Sequence, residues 1–247
     1  KNMLINRENI LVLADIHGNL EALDAVLKKA EEFGENRILI LGDIIDYGPR
    51  SNEVIAKLKK YEKQIILGIW GNHEQAILEE KYERFSSMRG VCSAQYTRRM
   101  LTDESKQFLN KLNHTGKQEC KIGEKLCLAI HGSLDDVFWR SIAPNSLNGN
   151  YARYDVVFSG HSHIPHYFEM FYNYDNPDFR NKKRTVFVNP GSVGQPRNHS
   201  PRAAFAIIEG EFENIHMLSV PYNIKEEQKL YSDEVDEFYK ERIEKGI

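Results

Sequence analysis

The sequence predicts an α/β (α+β) fold in a single domain over residues 1–247, and three observations point there. Short apolar runs alternate three times with helical periodicity in the first 75 residues. A second group of β-branched and aromatic runs follows residue 112. No Pro/Gly/Ser-rich linker divides the two groups, and a chain of 247 residues is long enough for one substantial core.

Taken in order, Ile10–Ala14 is an apolar run of the kind expected for a strand buried on both faces. Leu20, Leu23, Val26, Leu27, Ala30 and Phe33 then recur at helical spacing, with Gly34 as a C-cap. Ile38–Leu41 reads as a second strand, the stretch around Val54, Leu58 and Tyr61 as a second helix, and Ile65–Trp70 as a third strand. This βαβαβ order predicts parallel strands with right-handed crossovers. Residues 74–112 contain no proline, are interrupted only by Gly90, and read as a mostly helical insert. That insert either borders the site or forms a dimer contact. Leu126–Ile130, Val156–Ser159, Thr185–Val188 and Ala203–Ile208 read as a second set of strands, and residues 142–153 and 173–184 as loops. The charged tail over 225–247, with Leu230, Val235, Phe238 and Ile243 interspersed, reads as a surface helix or helix pair.

A net charge of −3 gives no basic field for stable nucleic-acid binding or for an anionic membrane. A phosphorylated small molecule or nucleotide stays open as partner, because bound cations would add positive charge that the formula omits. No apolar run approaches the ~20 residues of a membrane span, and Ile10–Ala14 is too short for a signal-peptide core. Cys92, Cys120 and Cys127 show no CxxC spacing and read as reduced thiols of a cytoplasmic protein. A homo-oligomer is compatible with the sequence.

The chemistry lies where the apolar runs stop. The first runs into Asp15-Ile-His17, the second into Gly42-Asp43-Ile-Ile-Asp46, and the third into Gly71-Asn72-His73-Glu74. Later runs end in His131-Gly132 and in Gly160-His161-Ser162-His163. Ligands of open parallel sheets bind at the carboxyl ends of strands. In extended backbone, residues two apart share a side, which would aim Asp15 with His17 and His161 with His163. Each motif alone has an ordinary explanation, since Gly-Asp is also turn chemistry. Clustering all of them is costly unless a ligand neutralises them. Imidazole nitrogen with carboxylate and amide oxygen, and no thiolate, suits Mn²⁺, Fe²⁺ or Zn²⁺. The set exceeds what one ion needs, but two ions sharing a carboxylate would use it.

The order DxH, GDxxD, GNHE, HG and GHxH over residues 10–208 resembles the calcineurin-like metallophosphoesterases. The resemblance implies a four-layer αββα sandwich of two mixed β-sheets packed face to face and flanked by helices. It implies two divalent metal ions, manganese first, with iron or zinc as alternatives. Asp15, His17, Asp43 and His163 would hold one ion; Asp43, Asn72, His131 and His161 would hold the other, with Asp43 bridging. His73 would face the substrate as proton donor and Asp46 would hold its imidazole. The implied reaction is in-line attack of a metal-bridging hydroxide on a phosphate ester.

Protein phosphatases of this superfamily carry arginine after the second Asp of GDxxD, where this chain has Tyr47. The stretch 42–49, Gln95–Leu112 and Val188–Arg197 resemble instead a prokaryotic branch of phosphodiesterases and dinucleoside polyphosphate (Ap4A-type) hydrolases. Arg50, Arg197 and Tyr47 are its candidate substrate contacts, since guanidinium matches phosphate oxygens and an aromatic ring stacks on a base. His73 keeps monoester hydrolysis open, so a serine/threonine-type protein phosphatase or a general phosphomonoesterase is the second expectation. A non-catalytic scaffold is the third, and the full ligand set argues against it. His114, His166, His199 and His216 match no motif and are expected at the surface or in the core.

Overall fold

The alternation in the first 75 residues becomes a βαβαβ unit: β1 (Asn9–Leu13), α1 (Leu20–Ala30), β2 (Asn36–Ile40), α2 (Ser51–Lys59) and β3 (Ile65–Gly68). Both strand pairs, β1–β2 and β2–β3, are parallel. The computed structural model describes residues 9–34, 36–147, 149–172 and 184–247. Asn19 caps α1 by accepting from the Ala22 amide, and Lys28 and Lys29 occupy its last turn, where the helix dipole favours cations.

The 74–112 segment is helical in three pieces: α3 (Asn72–Leu78), α4 (Met88–Met100) and α5 (Asp103–Leu109). Seven strands follow: β4 (Lys117–Ile122), β5 (Lys125–Ile130), β6 (Val156–Ser159), β7 (His166–Phe171), β8 (Arg184–Asn189), β9 (Ala203–Glu209) and β10 (Asn214–Val220). The tail forms a helix pair, α6 (Ile224–Gln228) and α7 (Glu237–Lys245). Two mixed five-stranded sheets result, in the orders β10-β9-β1-β2-β3 and β4-β5-β6-β8-β7.

The sheets face each other across an apolar layer in which Ile10, Val12, Leu39 and Leu41 of the first meet Cys127, Ala129, Phe158 and Val188 of the second. Each Ile, Val, Leu or Phe among them contributes roughly 1.5–3 kcal/mol on full burial. The outer face of the first sheet carries Leu11, Leu13, Ile38 and Ile40 and is covered by the Leu23, Val26, Val54 and Leu58 stripes of α1 and α2. On the outer face of the second sheet, Leu128, Ile130 and Phe187 pack against Ile142, Tyr151 and Tyr154.

β4, β7 and β10 are strands that no apolar run announces. Each lies at the end of its sheet with one strand neighbour, and each is mostly half-buried or exposed. Edge strands of this kind are polar because one side meets water. Residues 173–183 of the expected 173–184 loop lie outside the described residues, and Arg184 opens β8. Among the described residues, no helix is long and apolar enough to cross a membrane. The three cysteines are unpaired thiols.

Candidate metal centre

The strands stop just short of the residues that matter. β1 ends at Leu13 and β6 at Ser159, while Asp15, His17, Asp43, Asp46, Tyr47, His161 and His163 all have φ between 48° and 74°. The expectation that extended backbone aligns Asp15 with His17 and His161 with His163 is therefore corrected. The pairs converge, but through left-handed turns, a conformation costing non-glycine residues of order 1 kcal/mol or more. Surrounding hydrogen bonds hold it. The His17 and Gly18 amides donate to the Asp43 and Ile44 carbonyls (both 2.9 Å), and the Val193 and Gly194 amides donate to the Ala14 and Asp15 carbonyls (both 3.1 Å).

Glu74 locks two motifs together, a role that went unassigned in the sequence. Its buried carboxylate accepts from the amides of Asp43 (2.8 Å), Ile44 (2.7 Å), Ile45 (3.3 Å) and Gly71 (2.8 Å). The signal was its place at the third residue of a helix whose N-cap is Gly71, as in a capping box. Gly71 itself is required by close approach: a Cβ there would lie 2.1 Å from Asp43 Oδ1.

The turns bring all seven expected ligands to one place. Asp15, His17, Asp43 and His163 form one cluster and Asp43, His131 and His161 another, the ligand atoms within each lying within 4.8 Å of one another. Asp43 belongs to both. Asn72, the first residue of α3, puts Oδ1 at 3.0 Å from His131 Nε2 and 2.9 Å from His161 Nδ1.

The donor set fits cations on two counts. Asp15 Oδ2 and Asp43 Oδ2 are buried without a hydrogen-bond partner, a costly state that a cation would relieve. His17, His131 and His163 each place Nδ1 on a backbone carbonyl, of Ile45 (3.0 Å), Leu41 (2.7 Å) and Gln195 (2.6 Å). Donation there leaves Nε2 as a lone pair aimed inward. His17 Nε2 and His163 Nε2 face each other at 3.2 Å, and His17 and His131 Nε2 lie 3.6 and 3.3 Å from Asp43 Oδ2.

The electrostatics are divided: burial opposes a charge on His131, yet the Asp43 charge outweighs it and lifts the imidazole to about 9, so a cation on its Nε2 would have to displace a proton. Burial opposes the charge on Asp43, but the His131 and His73 charges outweigh it and hold the carboxyl well below its usual range. Burial lowers His17 and His163 well below the ordinary imidazole value and His161 to about 3, keeping them neutral and able to ligate. Burial, with the Asp43 charge adding, lifts Asp15 to about 7.

Above the clusters opens a cleft of about 610 Å³ lined by Asp43, Asn72, His161 and His163 together with His73 and Tyr47. His73 Nδ1 sits 2.7 Å from Asp46 Oδ2, and Asp46 Oδ1 accepts from Ser93 Oγ (2.6 Å) and Thr97 Oγ1 (2.9 Å) of α4. The 74–112 segment thus borders the site and orients its carboxylate. Burial resists a charge on His73, yet Asp43 and the hydrogen bond to Asp46 outweigh it and raise the imidazole.

Of the three expected substrate contacts, Arg197 and Tyr47 line the cleft. Tyr47 is stacked on Tyr239 of α7 at 4.2 Å. Arg50 is the exception: it does not line the cleft, and its guanidinium is held by buried Glu227 and by Glu21. Facing carboxylates satisfy it. Sequence reasoning missed Arg84, Phe85, Arg89, Trp139, Phe238 and Arg242, which complete the rim. None of His114, His166, His199 and His216 lines it.

Two mixed sheets delivering Asp, Asn and His from strand ends to one cleft define the phosphoesterase class of fold and site. Residues 9–211 match the calcineurin-like phosphoesterase superfamily domain, and the chain belongs to that metal-dependent superfamily. An uncharacterized protein of Methanocaldococcus jannaschii is 29% identical over 238 residues, covering 95% of this chain and 96% of its own length. The phosphodiesterase YfcE of Escherichia coli K12 is 26% identical over 214 residues, 85% of this chain and 92% of its own. A metallophosphoesterase crystal structure from Sphaerobacter thermophilus superimposes with a TM-score of 0.74 at 27% identity, covering 98% of this chain and 100% of that one.

Proposed function

We propose that the protein is a dinuclear metallophosphoesterase cleaving phosphodiester or dinucleoside polyphosphate substrates. The observation that carries this reading is the overlap of two Asp/His clusters at Asp43, with partnerless carboxylate oxygens on Asp15 and Asp43 at their centre. Asp15, His17, Asp43 and His163 would hold one divalent cation; Asp43, Asn72, His131 and His161 would hold the second. Two such ions lower the pKa of a water from about 16 towards neutrality and neutralise phosphoryl oxygens.

The chain's own residues supply the rest. His73 carries a proton on Nδ1 to Asp46, leaving Nε2 as the nitrogen that serves the cleft. As imidazolium it donates to the leaving oxygen, and Asp46, fixed by Ser93 and Thr97, keeps the ring in place during transfer. Phe85 packs edge-on against His73 at 5.2 Å and limits the water around it. The phosphodiesterase activity for which the E. coli relative is named supports the diester choice, and Tyr47 in place of arginine weighs against a protein phosphatase.

The test is hydrolysis with Mn²⁺, before and after chelation, of a model diester, a model monoester and a dinucleoside tetraphosphate. Chelator-sensitive turnover with diester or tetraphosphate preferred is expected. A preference for the monoester would move the assignment to a phosphomonoesterase. No turnover and no bound metal would leave a scaffold.

A further inference from the structure

We propose that Arg89, Arg197 and Arg242 form a second phosphate subsite beside the metal centre, so that the substrate carries at least one phosphate beyond the one cleaved. A nucleoside or dinucleoside polyphosphate meets that requirement, and a diester with a single phosphate does not. The inference rests on the phosphohydrolase reading and narrows it.

The three arginines come from separate segments: α4, the turn after β8, and α7. All line the cleft with His163, and the Arg197 amide donates to the His163 carbonyl at 3.3 Å. Neither Arg89 nor Arg197 has a carboxylate at ion-pair distance among the described residues, and Arg242 Nε donates to an oxygen of Ile247. The contrast within the same cleft is Arg84, which is neutralised by Asp136 at 2.5 Å, and elsewhere Arg98, Arg99 and Arg184 have carboxylates too. Arg197 Nε is buried without any partner. Arg89 and Arg242 are both drawn to one ring, Phe238, at 4.1 and 5.0 Å from its centroid.

A ring attracts each cation, but it does not remove the repulsion between them. Burial, with the Arg197 charge adding, pulls Arg242 down to about 10, a sign of how crowded this positive side is. An anion bridging the three would relieve that cost, and guanidinium forks match phosphate oxygens in pairs. The scissile phosphoryl group belongs over the Asp43 clusters. Arg197 stands beside His163, and its charge and that of Arg89 both act on Arg242, so the three guanidinium groups share one side of the cleft. The Arg197 backbone is tied to the His163 carbonyl, and Arg242 Nε to an oxygen of Ile247.

The experiment compares wild type, Arg89→Met and Arg242→Met in two assays. The first is Mn²⁺-supported hydrolysis of a dinucleoside tetraphosphate and a model diester. The expected result is a KM rise for the tetraphosphate of about tenfold, the loss of one charge-assisted contact, and at least several-fold larger than the rise for the diester. The second is calorimetric binding of ADP to the chelated protein, expected to weaken about tenfold in Arg89→Met. Arg89 is exposed, so this variant guards against a folding failure of buried Arg242→Met. Equal loss on both substrates, or ADP binding unchanged by Arg89→Met, overturns the subsite. Wild type that hydrolyses neither substrate yet binds ADP through Arg89 would instead overturn the hydrolase reading and keep the subsite.

Discussion

The floor of the cleft is a set of short turns whose side chains are buried and whose backbone groups are bonded to one another. Its rim comes from the 84–90 segment, Trp139 and α7, whose arginines and aromatic rings reach in from irregular or terminal elements. On the floor, position is set by sheets: Asp15, Asp43, Asn72, His131 and His161 each follow a strand held in register by its neighbours. On the rim, position is set by long side chains lying over rings, as Arg89 and Arg242 lie over Phe238. Chemistry that must not move suits the first kind of support, and recognition suits the second.

The floor is the place to look for the largest effect. Asp43→Asn removes the charge common to both clusters, and turnover should fall about 10³-fold, the upper range for loss of one electrostatic element. Metal per chain, measured by plasma mass spectrometry, should fall with it. A fully loaded and active variant would break the distinction between floor and rim.

His73→Ala comes next, because His73 belongs to the floor by burial but lies outside both clusters. Metal content should be retained while hydrolysis of esters with poor leaving groups drops about 10²–10³-fold. Esters with good leaving groups should lose far less. Equal losses on both would remove the proton-donor role.

These expectations also mark what the sequence could convey. A motif is legible when backbone topology places it, and DxH, GDxxD, GNHE, HG and GHxH each follow an apolar run. The left-handed turns were not legible, because nothing in Asp-Ile-His distinguishes a turn from continued strand. β4, β7 and β10 were missed for want of an apolar face, and Arg89 and Arg242 for want of any motif. Tyr239 and Arg242 lie on α7, a helix that reads as surface by composition, yet both are buried against the site. Arg50 is the opposite case: its place beside GDIIDYGP suggests phosphate, and only tertiary structure shows the carboxylates that hold it.

Between floor and rim stands α4, which reaches Asp46 without touching a ligand. Ser93→Ala combined with Thr97→Val should leave Asp46 Oδ1 without its two hydroxyl donors and let the carboxylate swing away from His73. A loss of about tenfold in kcat is expected, at the low end of what outer supports of such sites cost. Metal content should not change. A loss of metal instead would place α4 with the floor.

Arg50→Met should have the smallest effect on turnover, and it separates placement in the chain from placement in space. Glu227 is fully buried, and its ties to Arg50 are what balance its charge. Burial already raises its carboxyl above the ordinary 4.5 even with Arg50 present. Without the arginine, the folded protein must bury an uncompensated charge or bind a proton, at a cost of about 2–3 kcal/mol near neutral pH. The sign of the pH dependence follows from the direction of the shift. A carboxyl whose folded pKa is raised binds more protons folded than unfolded, so its contribution is intact below about 4.5 and is lost as pH climbs through the raised value. The variant's melting temperature should therefore approach that of wild type in acid and fall behind it towards neutrality, while kcat and KM stay within about twofold. A large KM rise with unchanged stability would return Arg50 to the substrate, and the rim would then extend past α7 to the start of α2.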